Sequence, residues 1–107
     1  MDGDRNDETA VIFTSRLTGT DPAGYAEAAS RMETLAAQQP GYRGIQSARG
    51  TDGLGITVSY WASEADAVAW RDQPDHAATR EAGRARWYAE YQVVVAHVAR
   101  DYRWTRG

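Results

Sequence analysis

Residues 42–61, YRGIQSARGTDGLGITVSYW, decide the fold, because they contain two strand patterns and the turn between them. Residues 54–61 are rich in β-branched and aromatic side chains and predict a strand, and residues 42–49 predict the strand before it. The tetrad Gly50-Thr51-Asp52-Gly53 between them predicts a hairpin loop. In the second strand Ile56, Val58 and Tyr60 share one face, because strand side chains alternate. An antiparallel hairpin therefore lies at the centre of the chain.

The segment before the hairpin predicts a strand followed by a helix. Residues 10–17, AVIFTSRL, predict the strand. Asp21 is a good N-cap and Pro22 takes the favoured first position of the helix. Its apolar residues recur at helical spacing until Pro40-Gly41 ends the pattern: Tyr25, Ala28, Ala29, Met32, Leu35 and Ala36.

The segment after the hairpin predicts two helices and a last strand. Ser63 and Asp66 have the spacing of a capping box and begin the first helix, which Gln73-Pro74 interrupts. We expect the second helix over residues 75–90 and the last strand over residues 91–102. The order βαββαβ predicts an α+β, ferredoxin-like fold, with a four-stranded antiparallel sheet and its helices on one face. We expect a disordered tail over residues 1–9 and a single domain over residues 10–104.

Composition excludes several classes of function. The chain has 107 residues, 12 of them basic and 15 acidic, and a net charge of −3, which disfavours nucleic-acid binding. It has no cysteine and two histidines without ligand spacing, so we expect neither a disulfide nor a dedicated metal site. No apolar run approaches membrane-spanning length, and the start is not a signal peptide. We therefore expect a cytoplasmic protein.

The last strand predicts a partner. Its valines and alanines fall on both faces, with Val93 and Val95 on one and Val94, Ala96 and Val98 on the other. Helices on one side of the sheet cover only one of these faces. The simplest way to cover the other face is the sheet of a second copy, so we expect a homodimer through the sheet face. The alternative is an apolar run buried within the monomer.

Trp70 and His76 can carry chemistry only if a cleft lies beside them. Trp70 lies about 160° around its helix from Val68, so both cannot face the same core. Trp70 either packs beneath the segment after Pro74 or lines a cleft. His76 shares a helical stripe with Thr79, Arg80, Gly83 and Trp87, which is either a solvated face or a site. Gly83 costs about 1 kcal/mol relative to Ala, which is easier to understand if a group approaches its backbone. His97, in the last strand, is more typical of a structural residue.

Taken together, the sequence resembles the antibiotic biosynthesis monooxygenase family over about residues 11–102. The resemblance is carried by Pro40-Gly41-Tyr42, the run Ile56 to Trp61 with Ser63-Glu64, Trp70, His76, and Gly83-Arg84 before Trp87-Tyr88. It implies a dimeric α+β barrel. Members of that family include cofactor-free oxygenases of polycyclic aromatic polyketide intermediates, quinol monooxygenases and haem-degrading monooxygenases, and many other members have no assigned activity.

The haem-degrading branch is matched at one of three positions. That branch uses a Trp on the second helix, a His ten residues later and an Asn in the first strand. Trp70 matches the first, whereas Arg80 and Ser15 occupy the other two positions. We therefore disfavour haem and expect no bound cofactor.

The cofactor-free branch needs a dry aromatic pocket, a base and hydrogen-bond donors. We expect His76 as the base beside Trp70, with the substrate, a small aromatic molecule, contacted by Ser15, Tyr60, Trp61, Arg80, Gly83 and Trp87. A dimer that binds a ligand without catalysis is the alternative. Oxygen uptake on addition of a quinol or anthrone distinguishes the two.

Overall fold

Four strands and three helices follow one another in the order that the sequence predicts. The structure, a computed structural model, describes residues 5–107. Its elements are β1 (Thr9–Leu17), α1 (Pro22–Ala36), β2 (Tyr42–Arg49), β3 (Leu54–Trp61), α2 (Glu64–Arg71), α3 (Pro74–Ala82), a π-helical segment (Gly83–Trp87) and β4 (Tyr88–His97). Within the described residues no helix is long and apolar enough to cross a bilayer.

The strands form one antiparallel sheet in the order β2-β3-β1-β4, which confirms the predicted ferredoxin-like α+β fold. Val11 of β1 lies opposite Ser59 on one side and Val95 on the other. Directly paired residues share a face. The face that carries these three residues also carries Trp61, which packs against α1 and α2. It is the helix-facing side of the sheet, and the other side is the open face.

The core lies at one end of the helix-facing side. Ala36 of α1, Trp61 of β3, and Ala67 and Trp70 of α2 are its buried members, and Val11, Met32, Leu35 and Tyr42 pack around them. The alanines allow the helices to approach the sheet closely, and the two indoles fill the remaining space.

The caps and turns that the sequence predicts are present. The Asp21 carboxylate accepts a hydrogen bond from the Gly24 N–H at 3.2 Å, and the Ser63 hydroxyl accepts one from the Asp66 N–H at 3.1 Å. Asp21 has φ 51°, a left-handed conformation that Asp tolerates better than most residues. At the hairpin, the Gly50 N–H donates to the Leu54 carbonyl at 2.9 Å.

The third helix is shorter than predicted and the last strand begins earlier. The helix ends at Ala82 rather than at Glu90, and β4 covers Tyr88–His97 rather than residues 91–102. Helical backbone continues through the π-helical segment as far as Trp87, and Thr18 ends it there, because its hydroxyl donates to the Arg86 carbonyl at 2.9 Å and its N–H donates to the Trp87 carbonyl at 2.8 Å. These bonds to the β1–α1 loop draw the chain out of the helix and into the sheet, a tertiary effect that helical periodicity does not contain.

Residues 5–9 correct the predicted disordered tail, whereas residues 1–4 lie outside the described residues. The Arg5 N–H donates to the Asp101 carboxylate at 3.0 Å, and its guanidinium lies 3.8 Å from the centre of the Tyr60 ring. Glu8 is buried and forms an ion pair with Arg5 at 3.0 Å, and Thr9 already belongs to β1. The acidic composition suggested a solvated tail, but these contacts hold the segment on the sheet.

Strand β4 keeps its valines exposed on both faces in the single chain. Val93 and Val95, on the helix-facing side, are 49% and 52% exposed, and Val94 on the open face is 42% exposed. Ile56, on the same open face, is 47% exposed. The helices therefore cover less of the sheet than the sequence suggests, since they stop short of this edge strand.

Candidate functional site

The break between α2 and α3 positions His76. Pro74 lacks an N–H and takes the first turn of α3, where none is needed. The Gln73 side chain caps this helix by accepting a hydrogen bond from the His76 N–H at 2.9 Å. The imidazole is thus held in the first turn of α3, directly after α2.

His76 stacks on Trp70. The ring centroids are 4.0 Å apart with an interplanar angle of 10°, and Trp70 stacks in turn on Trp61 at 5.9 Å and 24°. Trp70 is only 8% exposed, whereas Val68 is 38% exposed. The structure therefore answers the question that helical geometry left open: Trp70 turns inward and packs beneath the segment after Pro74. We call Trp61, Trp70 and His76 the His76 stack.

One hydrogen bond fixes the tautomer of His76. Its Nδ1 lies 2.9 Å from the Trp70 carbonyl oxygen, which only accepts, so Nδ1 carries the proton and Nε2 keeps its lone pair. Nε2 has no hydrogen-bond partner among the described residues, and none of them contains a buried unpaired side-chain nitrogen or oxygen. Nε2 therefore reaches accessible surface, where it can take up a proton.

The surroundings keep this imidazole neutral. Burial lowers the pKa of His76 below its ordinary value, and the nearby charge of Arg80 lowers it further, against the opposing effect of the Trp70 carbonyl. At neutral pH the ring is thus the neutral imidazole, whose Nε2 can act as a base. Arg80 itself donates to the Arg71 carbonyl at 3.0 Å, so its guanidinium caps the end of α2 beside the imidazole.

Ser15 lies at the other end of the helix-facing side. It is 1% exposed, and its hydroxyl accepts a hydrogen bond from Arg49 Nη2 at 2.8 Å. The Ser15 carbonyl accepts another from Arg49 Nη1 at 3.2 Å. The predicted substrate donor therefore serves an internal bond that ties β1 to the β2–β3 hairpin.

Trp87 and Gly83 also belong to that end. Trp87 packs edge-to-face on Tyr25, with ring centroids 6.0 Å apart, and its indole N–H donates to the Asp21 carboxylate at 3.4 Å. Gly83 is buried, and a Cβ there would lie 2.5 Å from Cε2 of Tyr88. The expected close approach to Gly83 is present, but the approaching group is the protein's own Tyr88 ring rather than a substrate.

Tyr60 and Trp61 point to opposite sides of the sheet. Tyr60 lies on the open face beneath the Arg5 guanidinium, and Trp61 is 0% exposed. The structure thus separates Tyr60 from the other predicted wall residues, and full burial of Trp61 makes it a support for Trp70. Neighbouring residues of a strand point to opposite faces, so the prediction that Tyr60 and Trp61 both contact one substrate was wrong.

The sequence prediction missed an aromatic cluster that adjoins Trp87 through Tyr25. Phe13, Tyr25, Tyr88 and Tyr91 form it, with Tyr88 at 5.4–6.0 Å from each of the other three rings. Burial and the neighbouring Tyr25 raise the pKa of Tyr88 well above its ordinary value, so this phenol stays protonated. No local signal predicts the Tyr88–Tyr91 contact, because residues three apart in a strand point to opposite faces, and a register shift opposite Arg16 and Leu17 lies between the two.

His97 differs from His76 in its exposure and its partner. It is exposed, and its Nε2 lies 3.3 Å from the Asp7 carboxylate. Among the described residues no group of three or more His, Asp or Glu side chains is arranged to hold a metal ion. Arg80 and Ser15 occupy two of the three positions used by the haem-degrading branch, and neither supplies a ligand for haem, because Arg80 is bound to the Arg71 carbonyl and Ser15 to Arg49.

Comparison with known proteins identifies the family and the fold. The protein is 50% identical over 92 residues to the uncharacterized protein YqjZ of Bacillus subtilis, across 86% of this chain and 80% of YqjZ. Its fold resembles that of SnoaB, a cofactor-independent oxygenase from Streptomyces nogalater, with a TM-score of 0.73, 20% identity, and coverage of 92% of this chain and 96% of SnoaB. Rv0793 from Mycobacterium tuberculosis has a TM-score of 0.74 and 16% identity, covering 83% of this chain and 92% of its own.

The family profile described as antibiotic biosynthesis monooxygenase matches residues 9–82, from the start of β1 to the end of α3. This span includes both members of the stacked pair Trp70 and His76. It confirms the resemblance inferred from the sequence. The chain belongs to the antibiotic biosynthesis monooxygenase family.

Proposed function

We propose that the protein is a monooxygenase that acts on an electron-rich phenol, anthrone or quinol without a bound cofactor. The observation that carries this proposal is the His76 imidazole, whose Nδ1 is bound to the Trp70 carbonyl while Nε2 is free. A base of this kind removes the proton that makes such substrates reactive toward dioxygen. SnoaB, which shares the fold, is described as a cofactor-independent oxygenase.

The reaction needs no external reductant. Nε2 takes a proton from the substrate, and the resulting carbanion or phenolate supplies the electrons that reduce dioxygen. For an anthrone, the CH₂ carbon becomes a carbonyl, one oxygen atom stays on the product and the other leaves as water. The protein's task is to hold the anion, exclude water and manage the proton.

Each residue of the site has a distinct role in this scheme. His76 is the base, and Trp70 is a positioning residue, because its ring and its carbonyl fix the plane and the tautomer of the imidazole. Arg80 lies close enough to His76 to act on its pKa, and its positive charge favours an anionic substrate. Ser15, Gly83 and Trp87 form internal contacts instead and support the helical layer.

We also propose that the active form is a homodimer through the open face of the sheet. Leu54, Ile56 and Val94 project from this face and are 37%, 47% and 42% exposed in the single chain. A second sheet would remove these side chains from water, at a gain of about 25 cal/mol for each Å² of apolar surface. The absence of cysteine suits the reducing cytoplasm in which we expect the protein to act.

Oxygen uptake with an anthrone or hydroquinone probe tests the chemistry, with spontaneous autoxidation subtracted. We expect His76→Ala to lower the rate by about 10²-fold or more. His97→Ala is the matched control and should keep the wild-type rate, because His97 is an exposed imidazole paired with Asp7. An unchanged rate in His76→Ala removes the base from the mechanism. Binding of the probe without oxygen uptake by the wild type indicates a ligand-binding dimer instead.

Hemin titration separates the haem activity from this one. The residues at the Ser15 and Arg80 positions do not fit haem, so we expect any absorbance change on adding hemin to be the same in His76→Ala as in the wild type. A Soret band that depends on His76 would favour the haem-degrading branch.

A further inference from the structure

The His76 stack continues beyond Trp61 to a tyrosine at its far end. Tyr42, the first residue of β2, packs edge-to-face on Trp61, with ring centroids 5.8 Å apart and an interplanar angle of 80°. Trp61 stacks on Trp70 at 5.9 Å, and Trp70 stacks on His76 at 4.0 Å. Neighbouring rings therefore lead without a break from the proposed base to Tyr42.

Exposure differs between the middle of this series and its two ends. Trp61 is 0% exposed and Trp70 is 8% exposed, whereas Tyr42 and His76 are both half-buried. Of the partly buried side chains that pack around the core, only Tyr42 has an aromatic ring; the others are Val11, Met32 and Leu35. The two indoles are thus shielded from water, and the rings at both ends of the series reach it.

The hydrogen bonds also differ between the middle of the series and its Tyr42 end. The Trp61 N–H donates to the Ser59 hydroxyl at 3.0 Å, and a neutral hydroxyl accepts a hydrogen bond but is too weak a base to remove a proton. A Trp61 ring that has lost an electron therefore keeps its proton. The Tyr42 hydroxyl has no partner among the described residues, none of which has a buried unpaired side-chain oxygen. It therefore reaches water, which can take up its proton.

We propose that Tyr42, Trp61 and Trp70 form an electron path that carries oxidising equivalents away from the His76 site. Indole and phenol are the aromatic side chains that lose one electron most readily, and rings in contact exchange an electron rapidly. This inference rests on the proposed oxygenase activity, because that activity supplies the oxidant. If the path exists, a reactive radical formed beside His76 is reduced before it damages the site.

The oxidant is a peroxyl radical formed from the substrate. The substrate anion gives one electron to dioxygen, and when the resulting superoxide escapes, the carbon radical that remains adds a second dioxygen molecule. One electron from Trp70 and the proton held by the His76 imidazolium convert this peroxyl radical to a hydroperoxide. That hydroperoxide then loses water and leaves the carbonyl of the oxygenated product.

The missing electron then moves along the path in the opposite direction to the substrate. Trp70 regains an electron from Trp61, and Trp61 regains one from Tyr42. Tyr42 releases its phenol proton to water, and the neutral tyrosyl radical that results is more stable than the radical cation of a tryptophan that keeps its proton. A soluble thiol returns one hydrogen atom to Tyr42 and becomes a thiyl radical.

Flash photolysis tests the path without any substrate. The chain has no cysteine, so Asp75→Cys, at an exposed position beside His76, provides one attachment point for a ruthenium tris-bipyridyl photo-oxidant. After a flash with a cobalt(III) electron acceptor, transient absorption should show a tryptophan radical cation followed by a tyrosyl radical. Tyr42→Phe should abolish the tyrosyl signal and prolong the tryptophan signal, and Trp61→Phe should remove most of the tyrosyl signal.

Tyr60→Phe is the matched control for the loss of a phenol hydroxyl. Tyr60 is the sequence neighbour of Trp61 but lies on the open face beneath the Arg5 guanidinium, so this variant should leave both radical signals unchanged. A tyrosyl signal that persists in Tyr42→Phe, or one that Tyr60→Phe removes, would overturn the proposal.

Turnover provides a second measurement. Tyr42→Phe should keep the initial rate of oxygen uptake, because Tyr42 contacts Trp61 rather than His76, but it should lose activity after fewer turnovers than the wild type. Peptide mass spectrometry should then find added oxygen on Trp70 and His76. Equal numbers of turnovers before inactivation would contradict the protective role. If the wild type takes up no oxygen, the proposed function fails, while the flash experiment still decides whether the path conducts.

Discussion

Gly83→Ala provides a stability measurement whose sign depends on one contact. In the interior of a helix, replacing Gly with Ala stabilises by about 1 kcal/mol, because Gly is the more flexible residue when unfolded. Gly83 has ordinary helical dihedral angles, φ −61° and ψ −45°, so backbone conformation alone predicts that stabilisation. The Tyr88 ring reverses the prediction.

The magnitude follows from the distances around the new methyl group. A Cβ on Gly83 would lie 2.5 Å and 2.8 Å from two carbons of the Tyr88 ring, whereas carbon atoms pack best at about 3.5–4.0 Å. The ring would have to move by about 1 Å, but Phe13, Tyr25 and Tyr91 hold it from three directions. Overpacking of this kind costs about 1–3 kcal/mol. Less the gain of about 1 kcal/mol from replacing Gly with Ala, we expect a net loss of up to about 2 kcal/mol in the free energy of unfolding.

Urea denaturation followed by tryptophan fluorescence measures this free energy. The control is the same substitution in a Tyr88→Leu background, where the clash is removed and Gly83→Ala should become neutral or stabilising by about 1 kcal/mol. If Gly83→Ala stabilises the otherwise unchanged protein, the ring does not occupy the space above Gly83, and our explanation of this glycine is wrong.

Three further predictions follow from single contacts. Burial lowers the pKa of His76 in the folded state, so the unfolded chain binds the proton first as pH falls. We therefore expect the free energy of unfolding to be highest above about pH 6.5 and to decline below it. His76→Gln should flatten this decline in a profile of melting temperature against pH. Ser63→Ala removes the cap of α2 and should cost about 1 kcal/mol in urea denaturation, and Ser63→Asp should recover most of that loss. Arg49→Met leaves the buried Ser15 hydroxyl without its donor and should cost about 1–3 kcal/mol, with Ser15→Ala restoring part of the loss; additive losses in the double variant would contradict this coupling.

The elements of the fold could be predicted from the sequence because their signals are local. The hairpin loop at residues 50–53, the Asp21 and Ser63 caps and the break at Pro74 each depend on neighbours only a few residues away. The structure confirms them and the βαββαβ order. The start of β4 directly after Trp87 could not be predicted in this way, because bonds from Thr18, far away in sequence, hold the Arg86 and Trp87 carbonyls.

The candidate site could be predicted only in part. The sequence singled out Trp70 and His76 separately, and the fold stacks them 4.0 Å apart. It also grouped Tyr60, Trp87 and Gly83 with them, and these lie on the open face or against Tyr25 and Tyr88. Helical stripes indicate which side chains share a face, but they do not indicate which other element will cover that face.

The sequence by itself determined the order of the elements, the positions of their ends at caps and turns, and the alternation of side chains along β3. Only the tertiary structure decided which side of β3 the helices cover. They cover the side that carries Trp61 and leave Ile56, Val58 and Tyr60 on the open face. The physical reason is that alternation has a period of two and is set by the backbone of the strand itself, whereas the choice of the covered side depends on how α1 and α2 pack together over the whole sheet. The small side chains of Ala36 and Ala67 leave room on that side for the stacked indoles of Trp61 and Trp70, and this packing in turn places the imidazole of His76.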